Sequence, residues 1–338
     1  MIQNGTVIRG HYQIQERLGS GGFGITYLAI DIDRPSHCKF VVKQLSLRNN
    51  DFNTLPFARE LFEREAKVLE RLGKKNDQIP ELLAYFEENE EFYLVQEFVD
   101  GKDLRSEIIP GQPLPEDNVV VLLQDILKVL EFVHQENVIH RDIKPSNLIR
   151  RYSDEKIVLI DFGAVKEIST LEINADNPSS LTHNVGTPGY TPIEQERGHP
   201  KLSSDIYAVG ILGIQALTGL IPRNLEKNFS GEIIWRKHAP KVTNALASVL
   251  DKMVCPSFEN RYESATAALT AFTQADQVSP TRPPTQLAGY LSNTQYAYRY
   301  PLITNLVLCL SLSFTGTYVF QIIQKIIIDK TYQNSNEA

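Results

Sequence analysis

Hydrophobic and polar positions follow two rhythms along this chain, and the change between them marks its organisation. Between about residues 12 and 99 the apolar residues alternate or cluster at strand length, over 12–18, 24–31, 40–45, 81–87 and 92–97. One segment interrupts them. In 61–72 (L-F-E-R-E-A-K-V-L-E-R-L) the residues Leu61, Phe62, Ala66, Leu69 and Leu72 recur at helical spacing. From Pro115 to about Gln274 the helical period takes over, most clearly in 118–135, 203–217, 244–253 and 264–272, with short strands predicted at 148–150 and 157–160. This pattern predicts an α+β chain in which a β-rich lobe precedes an α-rich one, with the cleft between them as the natural ligand site. Residues 276–286 (D-Q-V-S-P-T-R-P-P-T-Q) then read as a polar, proline-rich linker within 275–301.

Four motifs carry chemistry. L-G-S-G-G-F-G-I-T-Y spaces Gly19, Gly21 and Gly24 as G-x-G-x-x-G, and glycines let backbone N–H groups approach phosphate oxygens. Alone it is a weak signal, equally a glycine-rich hairpin turn. In a dinucleotide-binding fold the glycines open a helix, whereas 25–31 reads here as a second strand, which favours a hairpin lid. F-V-V-K-Q-L places Lys43 in a strand, where a lone lysine is commonly an edge residue with its head in water. Glu65, on the following helix, stands where a carboxylate is needed to aim that lysine at phosphates.

The third motif, V-I-H-R-D-I-K-P-S-N-L-I at 138–149, is the most specific. Asp142 can accept a hydroxyl proton, Lys144 can neutralise a transferring phosphoryl group, and Asn147 can hold a metal ion. A polar loop after a helix would explain one of these residues but not all at this spacing. In the fourth, L-I-D-F-G-A, Asp161 ends a strand as an oxygen ligand suited to Mg²⁺.

In this order the motifs resemble those of the eukaryotic-type (Hanks-type) serine/threonine protein kinases, close to those of bacteria. The resemblance runs over about 12–272 and implies a two-lobed kinase fold over 12–274, with the N-lobe at about 12–99 and the C-lobe at 100–274. It implies that Leu18, Gly19, Ser20, Gly21, Gly22, Phe23, Gly24 and Thr26 cover the ATP, that Lys43 binds its α- and β-phosphates, and that Glu65 orients Lys43. Glu97 to Val99 would be the hinge that receives adenine, with Gln96 guarding the back pocket and Asp103 meeting the ribose. Asp142 would be the catalytic base, assisted by Lys144, while Asn147 and Asp161 hold Mg²⁺, with Mn²⁺ the alternative. N-V-G-T-P-G-Y-T-P-I-E-Q (184–195) resembles the substrate-binding end of the activation segment. S-D-I-Y-A-V-G supplies Asp205 as brace of the catalytic loop, and Arg261 would pair with Glu194.

Lys144 and Thr187 match the serine/threonine branch rather than the tyrosine one. Three departures stand out: P-I-E replaces A-P-E at 192–194, Thr26 replaces a valine over the adenine, and His183 stands where a phospho-threonine is familiar. Autophosphorylation is expected at Ser179, Ser180 or Thr182, where Arg141 could pair with the phosphate. Two rivals share parts of this pattern. A pseudokinase scaffold would lack one of Lys43, Asp142, Asn147 and Asp161, and all four are present. A small-molecule kinase of related fold usually lacks both H-R-D-x-K-P and the G-T-P-x-Y…E segment.

Composition changes the picture only at its edges. The 338 residues are 42% hydrophobic and 22% charged, which is globular. A net charge of -7 speaks against nucleic acid as partner. Cys38, Cys255 and Cys309 form no metal or disulfide pattern, so a reducing compartment is expected, and the first residues lack the apolar run of a secretory signal. Residues 302–324 contain no charged side chain, and Tyr296, Tyr298 and Tyr300 precede them. As a helix they would reach about 34 Å, enough for a hydrocarbon core of about 30 Å. A single-pass transmembrane helix is expected there, with the catalytic lobes in the cytoplasm beside their ATP and a polar tail at 325–338. A helix docked on the protein or lying in the interface is the alternative. Protein substrates with Ser or Thr acceptors are the expected partners, and homodimerisation is left open.

Overall fold

The computed structural model describes residues 2–20, 24–45, 55–167 and 186–278. Strands β1 (Val7–Ile8), β2 (Tyr12–Ser20), β3 (Gly24–Asp31), β4 (Lys39–Leu45), β5 (Leu82–Glu88) and β6 (Glu91–Glu97) form one antiparallel sheet, ordered β1-β2-β3-β4-β6-β5. Both faces of its centre are covered, which is why β6 is buried from Phe92 to Gln96 with no polar alternation. Tyr93 and Val95 pack with Ile14, Tyr27 and Val42 on one face. Phe92 and Leu94 turn to the other, against Ala66, Leu69 and Leu72 of helix α1 (Leu55–Gly73). The strands expected from the sequence are present to within two residues at each end, and α1 starts six residues earlier than its apolar period indicates.

Helices α2 (Glu116–Gln135), α3 (Ile193–Glu196), α4 (Leu202–Thr218), α5 (Asn244–Met253) and α6 (Ala265–Val278) build the second lobe. Helix α2 buries one stripe, including Val119, Leu123, Ile126, Leu130 and Val133, at spacings of three and four. Helix α4 is buried on every side from Ser203 to Thr218, so it forms the centre of the lobe. It stops at Gly219, whose φ of 69° suits the left-handed cap. Helix α6 runs to Val278, so the first residues of the expected linker at 275–301 are its last turn.

Three strands absent from the sequence reading complete the floor of the cleft. Strand β7 (Gly101–Asp103) pairs with β9 (Leu148–Arg151), which pairs with β10 (Ile157–Leu159), while β8 (Val138–Ile139) pairs with β11 (Lys166–Glu167). Strands β7, β8 and β11 are two or three residues long and have no period of their own to detect. No helix among the described residues is long and apolar enough to cross a membrane. The expected membrane segment at 302–324, the tail at 325–338 and the linker from 279 lie outside the described residues.

Candidate active site

The β2–β3 hairpin brings Gly19 opposite Thr26 and Ser20 opposite Ile25, so the glycine motif joins two strands as the sequence predicts. Gly21, Gly22 and Phe23 at its tip lie outside the described residues. Leu18 is exposed beside it. Lys43, on the next strand, stands opposite Thr26 on one side and Leu94 on the other. The pleat therefore turns Lys43 to the α1 side. There its Nζ donates to Glu65 Oε1, and to Asp161 Oδ1 at 3.0 Å. Burial by itself would favour the neutral amine, but Asp161 and Glu65 outweigh it and hold the Lys43 pKa above its ordinary value. Lys43 in turn keeps the Asp161 carboxyl down at about 2. Burial pushes the Glu65 carboxyl up, against the pull of Lys43.

Asp161 has a φ of 66°, a left-handed conformation that aspartate tolerates better than most residues. Its side chain remains 46% exposed, leaving oxygen free for a further ligand. The Ile160 N–H beside it donates to Asn147 O at 2.9 Å, tying the two expected metal residues together through backbone.

The loop between β8 and β9 gathers the other groups. Asp142 Oδ1 accepts from Thr187 Oγ1 at 2.7 Å, and its Oδ2 accepts from Lys144 Nζ at 2.7 Å and Asn147 Nδ2 at 3.0 Å. Lys144 Nζ also reaches Thr187 Oγ1 at 2.9 Å. Asn147 Nδ2 donates to Asp142 O at 2.9 Å as well, so its amide oxygen faces away from that bond. Asn147 and Asp161 thus offer the hard oxygen atoms that Mg²⁺ takes, and they fit the ion.

Fully buried Asp205 holds this loop from beneath. Its two oxygens accept the His140 and Arg141 N–H groups, each at 2.8 Å, and His134 Nε2 lies 3.1 Å from Oδ2. Burial pushes the His140 pKa down, so this ring is neutral at pH 7. Its Nε2, 3.3 Å from Ile160 O, must carry the proton, which leaves Nδ1 to accept the Asp142 N–H at 3.4 Å. Arg141, also at positive φ, donates through Nε to Ala164 O. Burial lowers its pKa to about 10, so it keeps its charge.

Glu194 and Arg261 meet as expected, with Nη1 to Oε1 at 2.6 Å and Nη2 to Oε2 at 3.2 Å, both buried. The P-I-E departure is accommodated on the surface, because Ile193 is half-exposed while Glu194 is held. The Asp103 carboxylate accepts Arg105 Nε and Nη2 at 2.9 and 2.7 Å and caps the turn Leu104–Ser106 through the Arg105 N–H. Of the hinge residues, Val99 is buried and Glu97 exposed, and Gln96 just before them is buried. Ser179, Ser180 and Thr182 lie outside the described residues. Two supporting residues escaped the sequence reading. His134 had a faint signal, a histidine in the last turn of an apolar helix, whereas Gln195, donating to Arg141 O at 2.7 Å, had none.

A family model for the protein kinase domain matches residues 12–272. The chain belongs to the protein kinase family. Serine/threonine-protein kinase PknA of Nostoc sp. is 43% identical over 266 residues, covering 78% of this kinase and 47% of its own length. Serine/threonine-protein kinase C of Synechocystis sp. is 45% identical over 264 residues, covering 77% and 49%. This kinase spans about half the length of the curated relatives it matches. In fold it resembles the PknI kinase domain of Mycobacterium tuberculosis, at a TM-score of 0.59 and 22% identity, covering 81% of this chain and 100% of that one.

Proposed function

We propose that this kinase transfers the γ-phosphoryl group of ATP to serine and threonine hydroxyls of proteins. The observation that carries this reading is the Asp142 carboxylate held at once by Lys144, Asn147 and Thr187. Asp142 takes the proton of the acceptor hydroxyl as its oxygen bonds to the γ-phosphorus and the bond to ADP breaks. Lys144, beside Asp142, offsets charge on the transferring group. Lys43, aimed by Glu65, binds the α- and β-phosphates beneath the lid at 18–24, and the hinge at 97–99 takes the adenine. Asn147 and Asp161 would hold Mg²⁺, or Mn²⁺ in its place, which supplies charge neutralisation at the phosphates. Such a transition state is loose, so catalysis rests on positioning and electrostatics. The Lys144–Thr187 contact supports serine and threonine as acceptors, by the likeness to that branch. The test is transfer of labelled phosphate from ATP. Asp142→Asn is expected to lower the rate by about 10²–10⁴, and a wild-type rate in that variant defeats the assignment.

The uncharged run at 302–324 supports a further reading, that a membrane anchor follows the catalytic lobes and leaves them in the cytoplasm. Cells expressing the full chain and a version ending at Gln295 separate the outcomes. The full chain is expected in the membrane fraction until detergent is added. Its release by buffer alone refutes the anchor.

A further inference from the structure

Between α4 and α5 the backbone makes no further α-helix. A turn at Pro222–Asn224 leads into a short hairpin closed by the antiparallel bridge Lys227↔Ile233. Its tip is tightly held. Asn228 Oδ1 accepts the Ser230 and Glu232 N–H groups, each at 2.9 Å, and Asn228 Nδ2 donates to Glu232 Oε2 at 2.7 Å. The Gly231 N–H donates to Asn228 O at 2.9 Å from a φ of 81°. Its base is pinned by buried Trp235, whose Nε1 donates to Asp251 Oδ1 at 2.7 Å. On this turn stands Phe229, fully exposed at 114% where the other exposed large hydrophobics among the described residues reach at most 53%. A cavity of about 350 Å³ opens at the foot of the hairpin, its wall made by Ile233, Trp235, Val254 and Pro256 together with the charged Glu232, Asp251, Arg236 and Lys237.

The charges beside this knob and hole are one-sided. Each carboxylate beside them is taken, Glu226 by Lys237 at 2.6 Å, Glu232 by Asn228, and Asp251 by Arg236 at 2.6 Å and by Trp235. Arg223 and Lys227 have no ion-pair partner among the described residues. The segment also touches the end of the activation segment: a Cβ on Gly189 would lie 2.9 Å from Pro222 Cβ and 3.2 Å from Arg223 N. Thr187, which holds Asp142, is two residues before Gly189. A second copy of the chain fits poorly, because an isologous contact brings Arg223 and Lys227 towards their own counterparts.

We propose that this hairpin is a docking element for the protein substrate. It takes a segment in which an apolar side chain is flanked by Asp or Glu, with Phe229 as the anchor and Arg223 and Lys227 as the charged rim. This rests on the phosphotransfer reading above. Three probes test it: dephosphorylated casein, which is acidic; histone H1, which is basic; and a short serine peptide that reaches only the cleft. Initial rates are compared for the full chain, Phe229→Ala, and Arg223→Gln with Lys227→Gln. Both variants are expected to raise KM for casein roughly tenfold while kcat on casein and both constants for the short peptide stay unchanged. An unchanged casein KM overturns the proposal, as does a wild type that prefers histone to casein. So does a dimer in sedimentation that Phe229→Ala dissolves, which would assign the surface to a second copy. Labelling of none of the probes, and no self-labelling, defeats the phosphotransfer reading and this proposal with it.

Discussion

Replacing Arg261 with methionine removes a cation from a place where water cannot substitute for it. Its side chain is fully buried, and besides the two bonds to Glu194 it donates to Cys255 O at 2.6 Å and Pro256 O at 3.0 Å. The guanidinium also lies 4.8 Å from the Tyr207 ring centroid. In Arg261→Met the buried Glu194 carboxylate keeps only Ser204 Oγ, at 2.7 Å, and the carbonyls of Cys255, Pro256 and, at 3.4 Å, Ser203 lose a donor. Breaking a buried pair from one side costs about 3–5 kcal/mol, a large share of the roughly 5–15 kcal/mol that holds a domain folded. At about 2–4 °C per kcal/mol for a domain of this size, melting should fall by on the order of 10 °C. The double variant Glu194→Leu with Arg261→Met removes the uncompensated charge and should recover about 2 kcal/mol or more. Recovery stays partial, because the Cys255 and Pro256 carbonyls remain short of a partner. Thermal and urea unfolding of the single and double variants decide the matter. A single variant within about 1 kcal/mol of wild type, or a double variant no better than the single, refutes the account of Glu194 as a charge that Arg261 alone neutralises.

Two further outcomes follow from the site. Asp161 is held below its ordinary pKa by Lys43, so its contribution to stability is present above about pH 4, the usual aspartate value, and is lost as pH falls towards about 2. Lys43→Met should move the acid-unfolding midpoint upward, and a midpoint identical to wild type in circular dichroism would count against the pairing. At Gly101 an added Cβ would lie 2.2 Å from Arg150 O and 2.6 Å from the Ile149 side chain, because β7 and β9 pack backbone against backbone below the hinge. Gly101→Ala should cost about 1–3 kcal/mol and raise KM for ATP more than it lowers kcat. Unaltered stability and KM would show that this approach is not needed.

Legibility in the sequence tracked the distance over which each feature is built. Asp142, Lys144 and Asn147 fall within one loop, so their spacing alone brings them to one carboxylate. The glycine hairpin was readable for the same reason, since the strand pattern continues after Gly24 and a helix does not. The long strands and helices announced themselves by period, because each packs one face, or both, against a core. Lys43 and Asp161 were each visible in a local motif, and Glu65 only as the carboxylate that Lys43 would need, but nothing local says that the three meet. The partners of Lys43 are 22 and 118 residues away, and only the packing of α1 on the sheet closes that gap. At Asp103 the fold adds a partner that the sequence reading did not name, the Arg105 guanidinium two residues on. Asp205 beneath the loop was named through likeness to a family, whereas Gln195 on the Arg141 carbonyl and the three-residue strand β7 under the hinge are tertiary in origin. Side-chain identity and spacing determine which groups can do the chemistry. Burial decides which of them face one another, because a buried polar group must find a partner wherever the fold supplies it.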